Sequence, residues 1–249
     1  MLNDLAAPQP AGFGRCSRCA FWETGPIATC YNCASTAISP PSDTRCSVCD
    51  QRLSSADVAC PNALCNSPER YFESVHAIAM KTGELQDAIR RAKKKGKYGW
   101  GYVFARVVLG YLYSHQEILS GLDAIIPMPA YLEPGTDQRT DHARWVIQQA
   151  IEQDERGLPL MIDPVLIRKR SPTTKMRRTS GIQQRRDTGR QLYQALEVPD
   201  PRLVAGRRIM VYDDVFTTGT TLNAVARRLR EAGAAAVTGL TLARQPWSS

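Results

Sequence analysis

The sequence predicts an α/β protein with an open, mainly parallel sheet and flanking helices, preceded by a small cysteine-rich metal module. Three observations carry this prediction. All 8 cysteines lie before residue 66, so a cysteine-rich head precedes a cysteine-free body. A continuous apolar run, Ile209-Met210-Val211-Tyr212, lies between Arg207-Arg208 and Asp213-Asp214, as expected of a parallel strand buried on both faces. A stretch with Leu222, Val225, Ala226 and Leu229 at one-face helical spacing follows, closed by Gly233, and residues 236–243 read as a second buried strand.

The cysteines come as Cys16-x-x-Cys19, Cys30-x-x-Cys33, Cys46-x-x-Cys49 and, with four residues between them, Cys60 and Cys65. A tight Cys-x-x-Cys turn brings two thiolates to one metal, and two such turns complete the tetrahedral sulfur shell that zinc prefers. Ten residues separate the first pair from the second, and ten the third from the fourth. The simplest reading is two tandem zinc ribbons, Cys16/Cys19/Cys30/Cys33 and Cys46/Cys49/Cys60/Cys65. An interleaved cross-brace uses the same ligands, and spacing leaves it open. Disulfides suit secreted proteins, and a redox Cys-x-x-Cys sits in a βαβ pattern that this Ser/Pro/Thr-rich stretch lacks. An iron–sulfur cluster has no particular support. Complete four-sulfur shells leave no position for a substrate, so the zinc is read as structural, standing in for a core that the head is too small to build.

The expected division is a zinc-ribbon module over residues 1–70 and a second domain over residues 71–249, joined where Ser67-Pro68 interrupts regular structure. Charge divides at the same place. The first 70 residues carry five arginines against six acidic residues, a net −1, so the rest of the chain carries +9 to give the formal total of +8. A basic body suits phosphorylated small molecules or nucleic acid, although a solvated surface explains it equally. The first 15 residues lack the basic start and apolar core of a secretion signal. The longest apolar stretch, residues 103–113, falls far short of the roughly 20 residues that span a bilayer. A soluble, cytoplasmic protein without membrane insertion is expected.

The loop after the apolar run at residues 209–212 carries the most specific chemistry. Thr217, Thr218, Gly219, Thr220 and Thr221 offer amides and hydroxyls at a helix N-terminus, where the dipole favours an anion. Gly219 lets the backbone approach a phosphate closely. Asp213 and Asp214, just upstream, suit the two hydroxyls of a ribose, directly or through hydrated magnesium. Acceptors for hydroxyls followed by donors for phosphate match a ribose 5-phosphate, at the strand end where open α/β sheets bind ligands. A threonine-capped turn alone would be an ordinary helix start.

This segment, residues 209–221, resembles the signature of type I phosphoribosyltransferases. With its continuation Leu240-Thr241-Leu242-Ala243-Arg244, it is most similar to the ComF family of phosphoribosyltransferase-like proteins, in which a cysteine-knuckle head also precedes the domain. The resemblance implies the type I phosphoribosyltransferase fold with a mobile hood. It also implies phosphoribosyl pyrophosphate as ligand, with magnesium. Residues 79–95 resemble the first strand and basic helix of that family. Residues 124–130, Ala-Ile-Ile-Pro-Met-Pro-Ala, stand where a second loop meets the pyrophosphate. Residues 168–190 correspond to the hood, with Arg168, Lys169, Arg170, Lys175, Arg177, Arg178, Arg185, Arg186 and Arg190 as cations for a departing pyrophosphate. Such a basic run is equally a solvated face or a nucleic-acid patch.

Two departures limit the carry-over. The chain reads Arg139-Thr140-Asp141-His142-Ala143 where related proteins have Arg-Gly-Phe-Asn-Gln, so pyrophosphate contacts there do not transfer. Position 217 is Thr where 6-oxopurine salvage enzymes carry an Asp, and Thr is no general base at neutral pH. No proton-transfer residue stands out, and His142 reads as structural. As an enzyme, the protein would be a glycosyltransferase moving a phosphoribosyl group to an acceptor the sequence leaves unnamed. The alternative is a non-catalytic protein that binds the ligand or single-stranded DNA, with the zinc head as a docking module for DNA or a protein, as the resemblance implies through DNA uptake in competence. Aromatics near the basic residues are sparse, with Tyr98, Trp100 and Tyr193 the nearest. The cysteine spacing predicts two zinc ions per chain by elemental analysis; a metal-free preparation that still unfolds cooperatively would remove the structural role.

Overall fold

A computed structural model describes residues 34, 38–94, 96–173 and 182–247, with the backbone alone for residues 182–186. Its centre is a parallel sheet of four strands in the order β1-β6-β5-β2, with β1 at Val75–Met80, β2 at Ala124–Pro127, β5 at Arg208–Phe216 and β6 at Ala236–Arg244. A short antiparallel pair, β3 (Arg168–Lys169) with β4 (Leu196–Glu197), stands apart from it. The helices are α1 (Gly83–Ala92), α2 (Gly99–Ser114), α3 (His142–Gln153), α4 (Ile182–Ala195) and α5 (Thr220–Glu231).

The two central strands are the ones most visible as apolar runs. Ile209, Met210, Val211 and Tyr212 are all buried, as are Leu240, Leu242 and Ala243 on the neighbouring strand. Pairing runs from Arg208↔Ala236 to Phe216↔Arg244. The apolar run stops at Tyr212, but the ladder to β6 continues through Asp213↔Thr241 and Val215↔Ala243. Hydrogen bonding rather than hydrophobicity sets that strand end, so both aspartates sit within the strand. Gly239 on β6 admits Leu222 of α5: a Cβ there would lie 2.8 Å from its side chain.

α2 explains the apolar stretch at residues 103–113. Val103, Phe104, Val107, Val108, Leu109 and Leu112 are all buried, which takes up most of the helix circumference. No helix among the described residues is long and apolar enough to cross a membrane. α2 packs on α3, and α3 on β2 and β5.

Neither sheet edge is left open. Along β1, the Val75 amide donates to Val48 O (2.8 Å) and the Met80 amide to Ser39 O (2.6 Å). The Ala77 amide donates to the Asp50 carboxylate at 2.8 Å. The cysteine-rich segment thus supplies the partners that an edge strand otherwise offers to another chain. Asp50 reaches this position with φ 53°, a left-handed conformation that Asp tolerates better than most residues. On the far side, the Ile125 amide donates to Pro159 O (2.7 Å) and the Met161 amide to Ile125 O (2.9 Å), extending the sheet beyond β2.

The α2–α3 crossing depends on Gly101. A Cβ there would lie 2.1 Å from the Trp145 ring, which is held by its indole N–H donating to Tyr98 O at 2.9 Å. Gly101→Ala is therefore expected to destabilise the protein by about 2–3 kcal/mol through overpacking, measurable by urea denaturation. A Trp145→Phe background, with a smaller ring, should recover part of the loss.

Candidate functional site

β5 delivers its polar end to the carboxyl edge of the sheet, and the chain turns there into α5. Gly219 is the N-cap of α5 with φ 85°, and a Cβ on it would lie 2.7 Å from the Phe216 ring. Only glycine fits this turn in both respects. The turn carbonyls face away from the cleft side of the loop. Thr217 O accepts from the Arg244 guanidinium at 2.8 Å, with Phe216 O farther off at 3.4 Å. Thr218 O accepts from Asn62 Nδ2 at 3.1 Å. In a planar trans peptide the N–H points opposite to the C=O, so the amides of Thr218 and Gly219 are turned the other way. The amides of Thr217, Thr218 and Gly219 donate to no backbone or side-chain acceptor among the described residues. Thr220 and Thr221 add first-turn amides of α5 and their hydroxyls, with Thr218 Oγ1 and Thr220 Oγ1 3.1 Å apart. A concave run of donors without protein acceptors is an anion-binding arrangement.

The strand pleat parts the two aspartates. Asp214 opens on a crevice of about 1060 Å³, bordered also by Thr217, Thr221, Lys81, Lys93 and Lys169. Asp213 lines a smaller cavity of about 30 Å³ beneath the loop, with Thr217, Gly219 and Thr221, and its carboxylate accepts from the Asp214 amide at 2.8 Å. Thr217 and Thr221 border both spaces, so the cavities adjoin. Burial first, and then the Asp214 charge, push the Asp213 carboxyl up to about 8. Asp214 is held instead by Lys93, whose Nζ lies 2.5 Å from its carboxylate. Carboxylate oxygens beside a run of amide donors form the kind of hard donor set that would suit hydrated magnesium.

Two cations of the crevice carry no motif of their own in the sequence. Lys93, at the end of α1, and Lys81, one residue past β1, lie within a stretch recognisable only as a strand followed by a basic helix. Lys81 Nζ donates to Gln245 Oε1 at 2.9 Å, and burial, with Lys93 nearby, lowers its pKa. The basic spacing of α1 marked several cations, but only the tertiary packing selects these.

The proline loop continues β2, with the Met128 amide donating to Tyr212 O (2.7 Å), and Pro129 and Ala130 border the crevice. Arg139 is engaged elsewhere: it pairs with Asp137 at 2.8 Å and stacks on Tyr98 at 4.2 Å. Asp141 caps α3, accepting from the Arg144 amide at 3.1 Å. Burial lowers the pKa of His142 against the opposing pull of Asp214, which leaves a neutral imidazole at neutral pH. Of the basic hood residues, Lys169 reaches the crevice, with its Nζ donating to Thr173 Oγ1 at 2.6 Å. Arg168 and Arg170 pair with Glu197 instead, and Arg190 with Asp187. Lys175, Arg177, Arg178 and the side chains of Arg185 and Arg186 lie outside the described residues.

Cys46, Cys49, Cys60 and Cys65 come together with their sulfurs within 4.8 Å of one another, all buried. This is the tandem grouping of the third and fourth cysteine pairs. Four soft sulfur donors at one point fit one zinc ion. Local structure supports the set: the Val48 amide donates to Cys46 Sγ (3.4 Å), and Asn62 caps the short helix Ala63–Asn66 that carries Cys65. The hydrogen bond with Cys65 lowers the Cys49 pKa to about 5 against the effect of burial, helped by the Gln51 amide and Arg244. Cys16, Cys19, Cys30 and Cys33 lie outside the described residues.

Residues 159–248 match the family model of the phosphoribosyl transferase domain. The matched segment holds β5, the threonine loop, α5 and β6, and with the parallel sheet it gives the phosphoribosyltransferase fold. No curated protein matches the chain.

Burial raises the Asp141 carboxyl from 3.8 to about 6. Between those values the folded protein holds a proton that the unfolded chain releases, so stability from this group falls as pH rises through the window and stays low above it. Asn caps a helix as well as Asp does. Asp141→Asn should therefore be more stable than the parent by roughly 3 kcal/mol at pH 7, with the gain vanishing below about pH 4, as read by denaturation across pH.

Proposed function

We propose that this protein binds phosphoribosyl pyrophosphate with magnesium at the end of β5 and transfers the phosphoribosyl group to an acceptor, releasing pyrophosphate. One observation carries the reading: among the described residues the amides of Thr217, Thr218 and Gly219 donate to no protein acceptor, and Thr217 borders the basic crevice together with Asp214. The domain match over residues 159–248 supports it.

In this reading residues 217–221 hold the 5-phosphate, and its binding energy places the anomeric carbon. Asp214 accepts from a ribose hydroxyl or a magnesium-bound water. Asp213, whose pKa is raised by burial and by the Asp214 charge, accepts from the Asp214 amide and steadies that backbone. Magnesium supplies neutralisation of the pyrophosphate oxygens. Lys81, Lys93 and Lys169 add fixed positive charge on the leaving-group side as the glycosidic bond loosens toward an oxocarbenium-like state. The extent of the cysteine head and the Leu-Thr-Leu-Ala-Arg ending support a ComF-type member.

Single-stranded DNA binding is the second reading, favoured by one feature. A groove of about 800 Å³ on the α5 side is bordered by Tyr71, Tyr193, Arg190 and Arg227. Arg227 lies over both rings, at 5.5 and 4.4 Å, giving the aromatic and cationic pairing that bases and phosphates use.

Phosphoribosyl pyrophosphate with magnesium at a hundredfold excess over its Kd should stabilise the fold by about 2.7 kcal/mol, seen as a raised Tm. Asp213→Asn combined with Asp214→Asn should abolish the shift. An undiminished shift in that double variant would move the site elsewhere, and a steep loss of DNA affinity with salt, without pyrophosphate release, would favour the second reading.

A further inference from the structure

The cysteine cluster and the phosphate loop are far apart in sequence but share two buried side chains. Arg244, at the end of β6, has no exposed surface. Its guanidinium donates through Nε to Cys49 O at 3.0 Å and through one terminal nitrogen to Thr217 O at 2.8 Å. The other terminal nitrogen lies 3.8 Å from Cys49 Sγ. No carboxylate pairs with Arg244 among the described residues. A buried guanidinium in that position needs negative charge close by, and a zinc ion ringed by four thiolates carries it. Asn62, 3% exposed and lying between Cys60 and Cys65, makes the second link. Its Oδ1 accepts from the Leu64 amide (3.2 Å), and its Nδ2 donates to Thr218 O (3.1 Å). The Leu64 side chain closes the contact, 3.2 Å from where a Cβ on Gly219 would stand.

Both links grip carbonyls of the loop, at two successive peptides. Holding Thr217 O and Thr218 O on the cysteine side turns the following amides toward the cleft, because each peptide is planar. We propose that Arg244 and Asn62 are positioning residues through which the metal-bound cysteine cluster holds the phosphate loop in its donor-out conformation, so that metal and phosphoribosyl ligand bind cooperatively. This rests on the assignment of residues 217–221 as the phosphate site. Metal loss removes the geometry of Cys49 and of the Cys60–Cys65 turn. The loop carbonyls are then released, and the amides lose their common direction. Coupling between two binding sites is reciprocal, so the ligand must also tighten the hold on the metal by the same factor.

The test uses the full-length zinc-loaded protein, with phosphoribosyl pyrophosphate and magnesium as the probe. Zinc retention against a chromophoric chelator and probe affinity by calorimetry are measured in parallel. In the parent, saturating probe should strengthen zinc retention about 3- to 10-fold, the effect of one or two oriented hydrogen bonds. Asn62→Ser keeps a cap for Leu64 but is too short to reach Thr218 O. It should retain the full zinc content, weaken probe binding by about the same 3- to 10-fold, and reduce the effect of probe on zinc. Arg244→Lys keeps the charge but cannot bridge Cys49 and Thr217 at once, and should behave alike; if it fails to fold, Asn62→Ser decides. Parent protein that binds the probe with zinc retention unchanged, or Asn62→Ser with undiminished affinity and coupling, overturns the proposal. Parent protein that does not bind the probe at all overturns the phosphate-site assignment itself, and the coupling with it.

Discussion

The parallel ladder between β5 and β6 is the constraint on which the rest depends. Both strands are buried along most of their length, so their register is fixed by the packing on either face. They end together at Phe216↔Arg244. That shared end brings the two aspartates, the threonine loop and a buried guanidinium to one point on the sheet edge. Polar groups concentrate where the ladder runs out, because that is where backbone amides first lack a strand partner. Among the described residues the carbonyls of Thr217 and Thr218 find partners inside the protein and the amides of residues 217–219 do not.

The surrounding charges follow the same logic. Asp214 faces a crevice with lysines on three elements: Lys81 after β1, Lys93 after α1 and Lys169 in β3. Asp213 lies on the other face of the pleat, where desolvation and the Asp214 charge raise its pKa. The adjacent carboxylates thus differ in role although they are identical in kind. Asp214 pairs with Lys93, whereas desolvation and the Asp214 charge raise the pKa of Asp213. Among the described residues the crevice thus sets lysines and Arg90 around a single carboxylate.

The cysteine-rich segment is part of the same construction. It covers the β1 edge through Ser39, Val48 and Asp50, and it reaches the turn after β5 through Asn62 and Leu64. Cys46, Cys49, Cys60 and Cys65 belong to the same continuous core as the sheet. A small module with few large apolar side chains gains burial by lying on a larger sheet, and the sheet loses an exposed edge.

The apolar run over residues 209–212, the helical period from Leu222 to Leu229 and the spacing of the cysteines determined by themselves that a buried parallel strand, an amphipathic helix and a four-sulfur site would exist. Each is a local pattern with a local cause: burial on two faces, one apolar stripe, or a turn that pairs two thiolates. The threonine loop was legible for the same reason, since its donors are neighbours in the chain. Tertiary structure alone decided which cysteine pairs meet, which lysines of a basic helix face the crevice, and which side of the pleat each aspartate takes. It also decided that Arg244, an ordinary strand-end arginine in the sequence, joins the cysteines to the loop. These outcomes depend on contacts between segments separated by up to 195 residues, and no periodicity within either segment encodes its distant partner.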